Sequence, residues 1–235
     1  MPHNSQVRTI SLGSPRINSV SQILFKLKLV ITGNPGVGKH TSARIIADKT
    51  GAKIIDLNRV AIDNNAIAKK TERGLEVDAK KLGSLLAKLL KERNDMIIVG
   101  HLAPYVLKPA GISMVAVLRR SPYELEKILK KRGYSLGKIR ENLESEILGV
   151  SLYDSVKTFG WSKIVEFDTT GETPDQTTRK IMRALRKKPK PAGIDWLAMV
   201  SRRGDMQKFF EYEPLHVDVH SYEKRPNKEP GGGAT

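Results

Sequence analysis

An α/β fold, a five-stranded parallel sheet with helices on both faces, is what this chain predicts. Three observations carry the expectation. Unbroken apolar runs recur along the chain, as strands buried on both faces require. Amphipathic or well-capped stretches separate them, so strand and helix alternate, the pattern of a covered parallel sheet. The first apolar run ends in GNPGVGKHT, residues 33–41, a glycine-rich turn that leads from strand to helix.

The elements follow in order. LKLVITG (27–33) is the first strand. The next helix covers residues 38–50, carrying Ala43, Ile45, Ile46 and Ala47, and Gly51 stops it. AKIIDL (52–57) is the second strand. NRVAIDNNAIAKKTERG is polar and weakly periodic, and it suits a mobile helical segment outside the core. VDAKKLGSLLAKLLKER (77–93) places Leu82, Leu85, Leu86, Leu89 and Leu90 at helical spacing. DMIIVG (95–100) and ISMVAVL (112–118) are the third and fourth strands. SPYELEKILKKRG then predicts a helix with Ser121 as N-cap, Pro122 at its first position, Glu124 completing a capping box and Gly133 as its stop. One long helix is expected from Leu136 to Lys157. KIVEFDTTG (163–171) is the fifth strand, and the run Thr173 to Gln176 opens the last core helix with a second capping box.

At 235 residues the chain has room for one domain with appendages. Residues 1–23 are polar and lack the apolar core of a signal peptide, so a disordered extension is expected there. The domain spans 24–188. The basic run KKPKP (187–191) breaks the pattern, and residues 189–235 read as basic linker and partly disordered tail, with Trp196, Leu197 and Met199 as docking residues of a short helix. No apolar run approaches the length of a membrane span, so no membrane partner is expected. The chain has no cysteine, which excludes disulfides, thiolate catalysis and cysteine-ligated zinc and fits an intracellular location. The formal net charge of +16 points to an acidic partner, a phosphate backbone first of all.

Gly33, Gly38 and Lys39 meet the pattern G-x-x-x-x-G-K in the strand–turn–helix setting that makes it specific. Glycines at 33, 36 and 38 let successive main-chain N–H groups turn inward around phosphate oxygens, and the helix N-terminus adds partial positive charge. Lys39 would reach the outer phosphates of ATP. His40 stands where a hydroxyl normally ligates Mg²⁺, a hard ion for which an imidazole is a poor ligand. Three arrangements remain open: the ion is held by water and nucleotide oxygens, Thr41 takes over as ligand, or metal-dependent turnover is slow.

Several runs together resemble one family: ITGNPGVGKHTSA, IVGHLAPYVL, VLRRSPYELEKILKKRGY, KIRENLESEILGV and EFDTTGETP. They look like the archaeal and eukaryotic nuclear adenylate kinases, the sixth isoenzyme or CINAP type, over about residues 26–188. The resemblance implies a P-loop kinase fold with a monophosphate-binding segment near 56–79 and a short lid near 131–141. It implies ATP and Mg²⁺ as cofactors, and Gly36, Gly38, Lys39, His40 and Thr41 as the ATP loop. It also implies Arg132 as the lid arginine on ATP, Arg59 on AMP, and a catalytic role for Lys39, Arg132 and His101. The family carries an acidic residue two positions before that histidine; here the position is Val99. Asp56 and Asp78 are the nearby acids that could contribute instead.

Two functions follow from the resemblance. One is adenylate kinase activity, ATP and AMP giving two ADP, with ATPase activity. The other is a role in late small ribosomal subunit maturation, at the 3′ end of the rRNA, with a small-subunit ribosomal protein and pre-ribosomal small-subunit RNA as partners. An ATPase switch with negligible kinase activity, or a P-loop kinase of another small molecule, are the alternatives. The setting would be cytoplasmic in an archaeal cell and nuclear in a eukaryotic one.

Overall fold

The computed structural model describes residues 27–71, 74–92, 95–187, 189 and 193–210. The expected N-terminal extension, most of KKPKP and the tail beyond 210 lie outside the described residues. The chain runs β1 (Lys28–Thr32), α1 (Lys39–Thr50), β2 (Lys53–Asp56), α2 (Leu57–Asp63), β3 (Ile67–Thr71), β4 (Gly74–Val77), α3 (Ala79–Leu89) and β5 (Met96–Val99). It continues through α4 (Ala103–Val106), β6 (Met114–Arg119), α5 (Pro122–Lys131), α6 (Leu136–Ile147), α7 (Val150–Phe159), β7 (Ile164–Asp168) and α8 (Pro174–Arg186). Two short helices follow, α9 (Trp196–Arg202) and α10 (Met206–Phe209).

Five strands form one sheet in the order β2-β5-β1-β6-β7, every pair parallel. The five apolar runs of the sequence are these five strands. Side chains alternate across a strand, so those of β1 divide between two cores. Leu29 and Ile31 join a core with α1, α5, α6 and α8. Val30 joins the opposite core with α2, α3, α4 and α7. The chain leaves β1 for one side of the sheet and later builds β6 and β7 on the other, so the C-terminal end of β1 is the switch point where such folds bind ligands.

Several predicted signals are present. Gly51 ends α1 with a left-handed turn whose N–H donates to Ala47 O at 2.8 Å. Thr173 and Gln176 form their capping box. Four expectations need correction. The polar segment after Asn58 is not a helical excursion: α2 stops at Asp63, and β3 and β4 pair as an antiparallel hairpin. The long helix from Leu136 breaks at Gly149, whose φ of 68° interrupts the helical path, giving α6 and α7. Ser121 makes no side-chain capping bond, and the other half of the expected box is absent too: the Ser121 N–H donates to Thr170 Oγ1 at 2.8 Å, while the Glu124 carboxylate accepts from Arg120 Nη1 and the Gly171 N–H, each at 3.1 Å. In α9, Trp196 and Met199 pack on the core but Leu197 is exposed, and Val200 is the second anchor. Among the described residues no helix is long and apolar enough to cross a membrane.

Candidate nucleotide site

The loop between β1 and α1 is shaped by close approach. At Gly33 φ is 129°, and a Cβ there would stand 2.3 Å from Leu118 O on the neighbouring strand, so the chain can leave β1 at this angle only without a side chain. Beyond the turn, Lys39 starts α1 with its side chain buried and its Nζ donating to Asn34 O at 2.8 Å. The pKa of its ammonium falls to about 8: burial drives the fall, the Glu146 carboxylate opposes it, Arg132 adds to it and Asp56 opposes it. Among the described residues this cation's hydrogen bond goes to a backbone carbonyl, which leaves it ready to meet an anion.

Asn34 is locked from both ends of its amide. Its Nδ2 donates to Glu146 Oε2 at 2.7 Å, and its Oδ1 accepts from the Ser145 and Ser151 hydroxyls at 3.1 and 3.3 Å. The loop is therefore fastened to α6 and α7, which the sequence signals did not reveal.

A cleft of about 690 Å³ opens beside the loop. Gly36, Gly38, Lys39, His40, Thr41, His101 and Arg132 all line it, so residues from three separate stretches of the sequence converge on one space. Gly33 lies beneath the loop and is not part of the lining. Arg59 is elsewhere: its side chain is 82% exposed and pairs with Asp63 at 3.5 Å along α2, while its neighbour Asn58 reaches the cleft. Asp78 caps α3 through the Lys81 N–H at 2.9 Å and is not part of the lining either. The expected lid corresponds to the turn after Arg132, which ends α5, and to the first turns of α6, where Lys138 and Glu141 pair at 2.9 Å.

His101 follows β5 on the turn at Gly100. Its ring keeps solvent access within the cleft, yet the walls strip its hydration, and Lys39 and Lys138 add repulsion. Its pKa falls to about 4, so it is neutral near pH 7. His40 Nε2 lies 2.9 Å from Asp56 Oδ2, while Asp56 Oδ1 accepts the Asn58 and Arg59 N–H groups as the cap of α2. The lining also has apolar side chains, Ile62, Ile67, Val77 and Val150 among them, together with Tyr105. The Tyr105 hydroxyl bonds to Asp154; burial first, and then that carboxylate, push its pKa up to about 12.

These residues do not fit a protein-ligated Mg²⁺. An imidazole engaged by a carboxylate replaces the hydroxyl, Val99 is a buried apolar residue of β5, and among the described residues no three His, Cys, Asp or Glu side chains converge. Thr41 does line the cleft.

The family described as AAA domain matches residues 29–149, from β1 to the break before α7. The chain belongs to this P-loop family. A family relative from Pyrococcus furiosus named "Putative adenylate kinase" is 36% identical over 170 residues, which cover 72% of this chain and 90% of that one. A second of the same name, from Methanocaldococcus jannaschii, is 29% identical over 194 residues, covering 81% and 99%. Among solved structures, a sugar kinase from Janibacter aligns with a TM-score of 0.49 and 18% identity, covering 68% of this chain and 95% of that one. The matched span holds the loop, His101, Arg132 and Glu146, and ends before α9.

Proposed function

We propose that the protein is a nucleoside monophosphate kinase of the adenylate kinase type, moving the terminal phosphoryl group of ATP to AMP. The observation that carries the reading is Lys39, a buried ammonium beside a glycine loop, lining a cleft that also holds apolar side chains and has room for an acceptor. The names of the relatives support the acceptor class. In the reaction an oxygen of the AMP phosphate bonds to the γ-phosphorus of ATP as the bond to the bridging oxygen breaks, leaving two ADP. Catalysis of such transfers is positioning and electrostatics. Loop amides and Lys39 hold the outer phosphates, Arg132 closes over them from the end of α5, and neutral His101 hydrogen-bonds a transferring oxygen or a water. Enclosure by the turn after Arg132 keeps bulk water from taking the phosphoryl group.

We further propose a task in small ribosomal subunit maturation, with pre-ribosomal RNA and a small-subunit ribosomal protein as partners. The resemblance of the sequence and the charge of +16 support it. An ATPase switch is the second reading, favoured by the charge of +16, a surface that a monophosphate kinase acting alone does not need. Purified protein given ATP with and without AMP separates the readings. ADP formed only with AMP supports the kinase, and equal ADP without AMP supports the switch. Replacing Lys39 by Ala should lower either activity by about 100-fold or more, as loss of a transition-state donor does. Affinity for small-subunit RNA should fall steeply with salt, and a flat response would remove the RNA partner.

A further inference from the structure

Glu146 has no solvent exposure, an expensive place for a carboxylate unless every lone pair is used. It is used fully. Oε1 accepts from Arg119 Nε at 2.7 Å, from the Arg120 N–H at 3.1 Å and from the Trp196 indole N–H at 3.1 Å. Oε2 accepts from Asn34 Nδ2 at 2.7 Å. One carboxylate thus joins the phosphate loop, the end of β6 and the helix α9.

The segment after α9 has further footing at the start of α5. Tyr123, at the start of α5, donates to Asp205 at 2.5 Å, lies under the Arg203 guanidinium at 4.8 Å and meets the Phe209 ring edge-on at 5.2 Å. The same α5 ends at Arg132. The segment from Trp196 to Phe209 therefore leans on both parts that would handle phosphate: the loop, through Glu146, and the arginine-bearing helix, through Tyr123.

We propose that Glu146 is a positioning residue that couples the phosphate loop to the docking of α9, so that nucleotide in the loop and α9 on the core stabilise one another. The inference rests on the loop's being a nucleotide site. The physical route is short. Lys39 donates to the carbonyl of Asn34, and a phosphate entering the loop competes for that ammonium. Asn34 must then readjust, and its side chain has no slack, because Glu146, Ser145 and Ser151 hold both ends of the amide. The adjustment reaches Glu146 and, through its other oxygen, Trp196. Such coupling is reciprocal: nucleotide strengthens the docking of α9 by the same factor by which docked α9 strengthens nucleotide binding.

The chain has two tryptophans, which makes the link directly readable. Trp161 is 62% exposed and outside the cleft, so Trp161→Phe leaves Trp196 as sole emitter. In this variant ADP is titrated while heat and Trp196 emission are recorded. The expected result is an emission change that saturates with the calorimetric isotherm. Adding Glu146→Gln should weaken ADP binding by about tenfold, within the usual range of coupling, and abolish the emission change. Asn34→Ala, which cuts the link at the loop and leaves the α9 contacts in place, should also bind ADP without an emission response; it decides the matter if Glu146→Gln does not fold. Heat of ADP binding with an unchanged Trp196 signal in the Trp161→Phe protein would overturn the coupling. So would an emission response that persists in Asn34→Ala. Absence of any heat with ADP or ATP would instead overturn the nucleotide-site reading itself.

Discussion

His40 shows how one side chain alters a familiar loop. It stands one residue after the lysine, where the usual hydroxyl would be, and Asp56 engages it at 2.9 Å. Asp56 keeps its capping bonds to α2 whichever residue is at 40, so His40→Thr tests the hydroxyl without undoing the helix start. The expected outcome is a half-saturating Mg²⁺ concentration for ATP binding lower by about 10-fold, in the range seen when metal-site partners are exchanged. A magnesium titration of nucleotide affinity measures it, and an unchanged midpoint would mean the position has no part in metal use. The glycines and Lys39 were legible because phosphate cradling demands those residue types at that spacing. Glu146 was not: in the sequence it is one glutamate among several on a helix, and only the fold shows that it faces inward. Arg59 was read from resemblance alone, and its side chain follows its own helix to Asp63 instead of the cleft.

At the scale of elements, the five strands were legible because strands buried on both faces leave continuous apolar runs. The β3–β4 hairpin was not, because Ile67 to Thr71 carries two lysines and no strict alternation, and its pairing is irregular between Ile67 and Lys69. The break between α6 and α7 was hidden in a period that stays apolar across Leu148 and Val150. What breaks the helix is the backbone: Gly149 sits at φ 68°, and the turn lets Ser151 reach Asn34. Gly149→Ala places a Cβ in the left-handed region, where an L-residue loses about 1–2 kcal/mol. The added methyl meets the Arg119 guanidinium at 3.6 Å, an ordinary contact, so the loss should come from the backbone alone. A urea midpoint lowered to match, with the slope unchanged, is the expected result.

Over the whole molecule, two apolar cores sandwich the sheet, and a polar knot is set into one of them. Arg119, 2% exposed, reaches Glu146 at 2.7 Å and Glu166 at 2.6 Å. Burial raises the Glu166 pKa, and the guanidinium works against that rise. Arg119→Met would leave two carboxylates buried against each other without their cation. The protein should lose about 3–5 kcal/mol, as single-partner deletions of buried pairs do, measured by denaturant unfolding at neutral pH. If Glu166 then takes up a proton, part of the loss should be recovered as pH falls, since the protonated form no longer needs a partner. The knot is also remote in sequence. Asn34 and Glu146 are 112 residues apart, and Glu146 and Trp196 another 50. Contacts of that span close only after long stretches of chain have been ordered, which makes them slow to form. A growing polypeptide thus carries its glycine turn from early in synthesis but gains the anchors that fasten it only once α6 and α9 have been made.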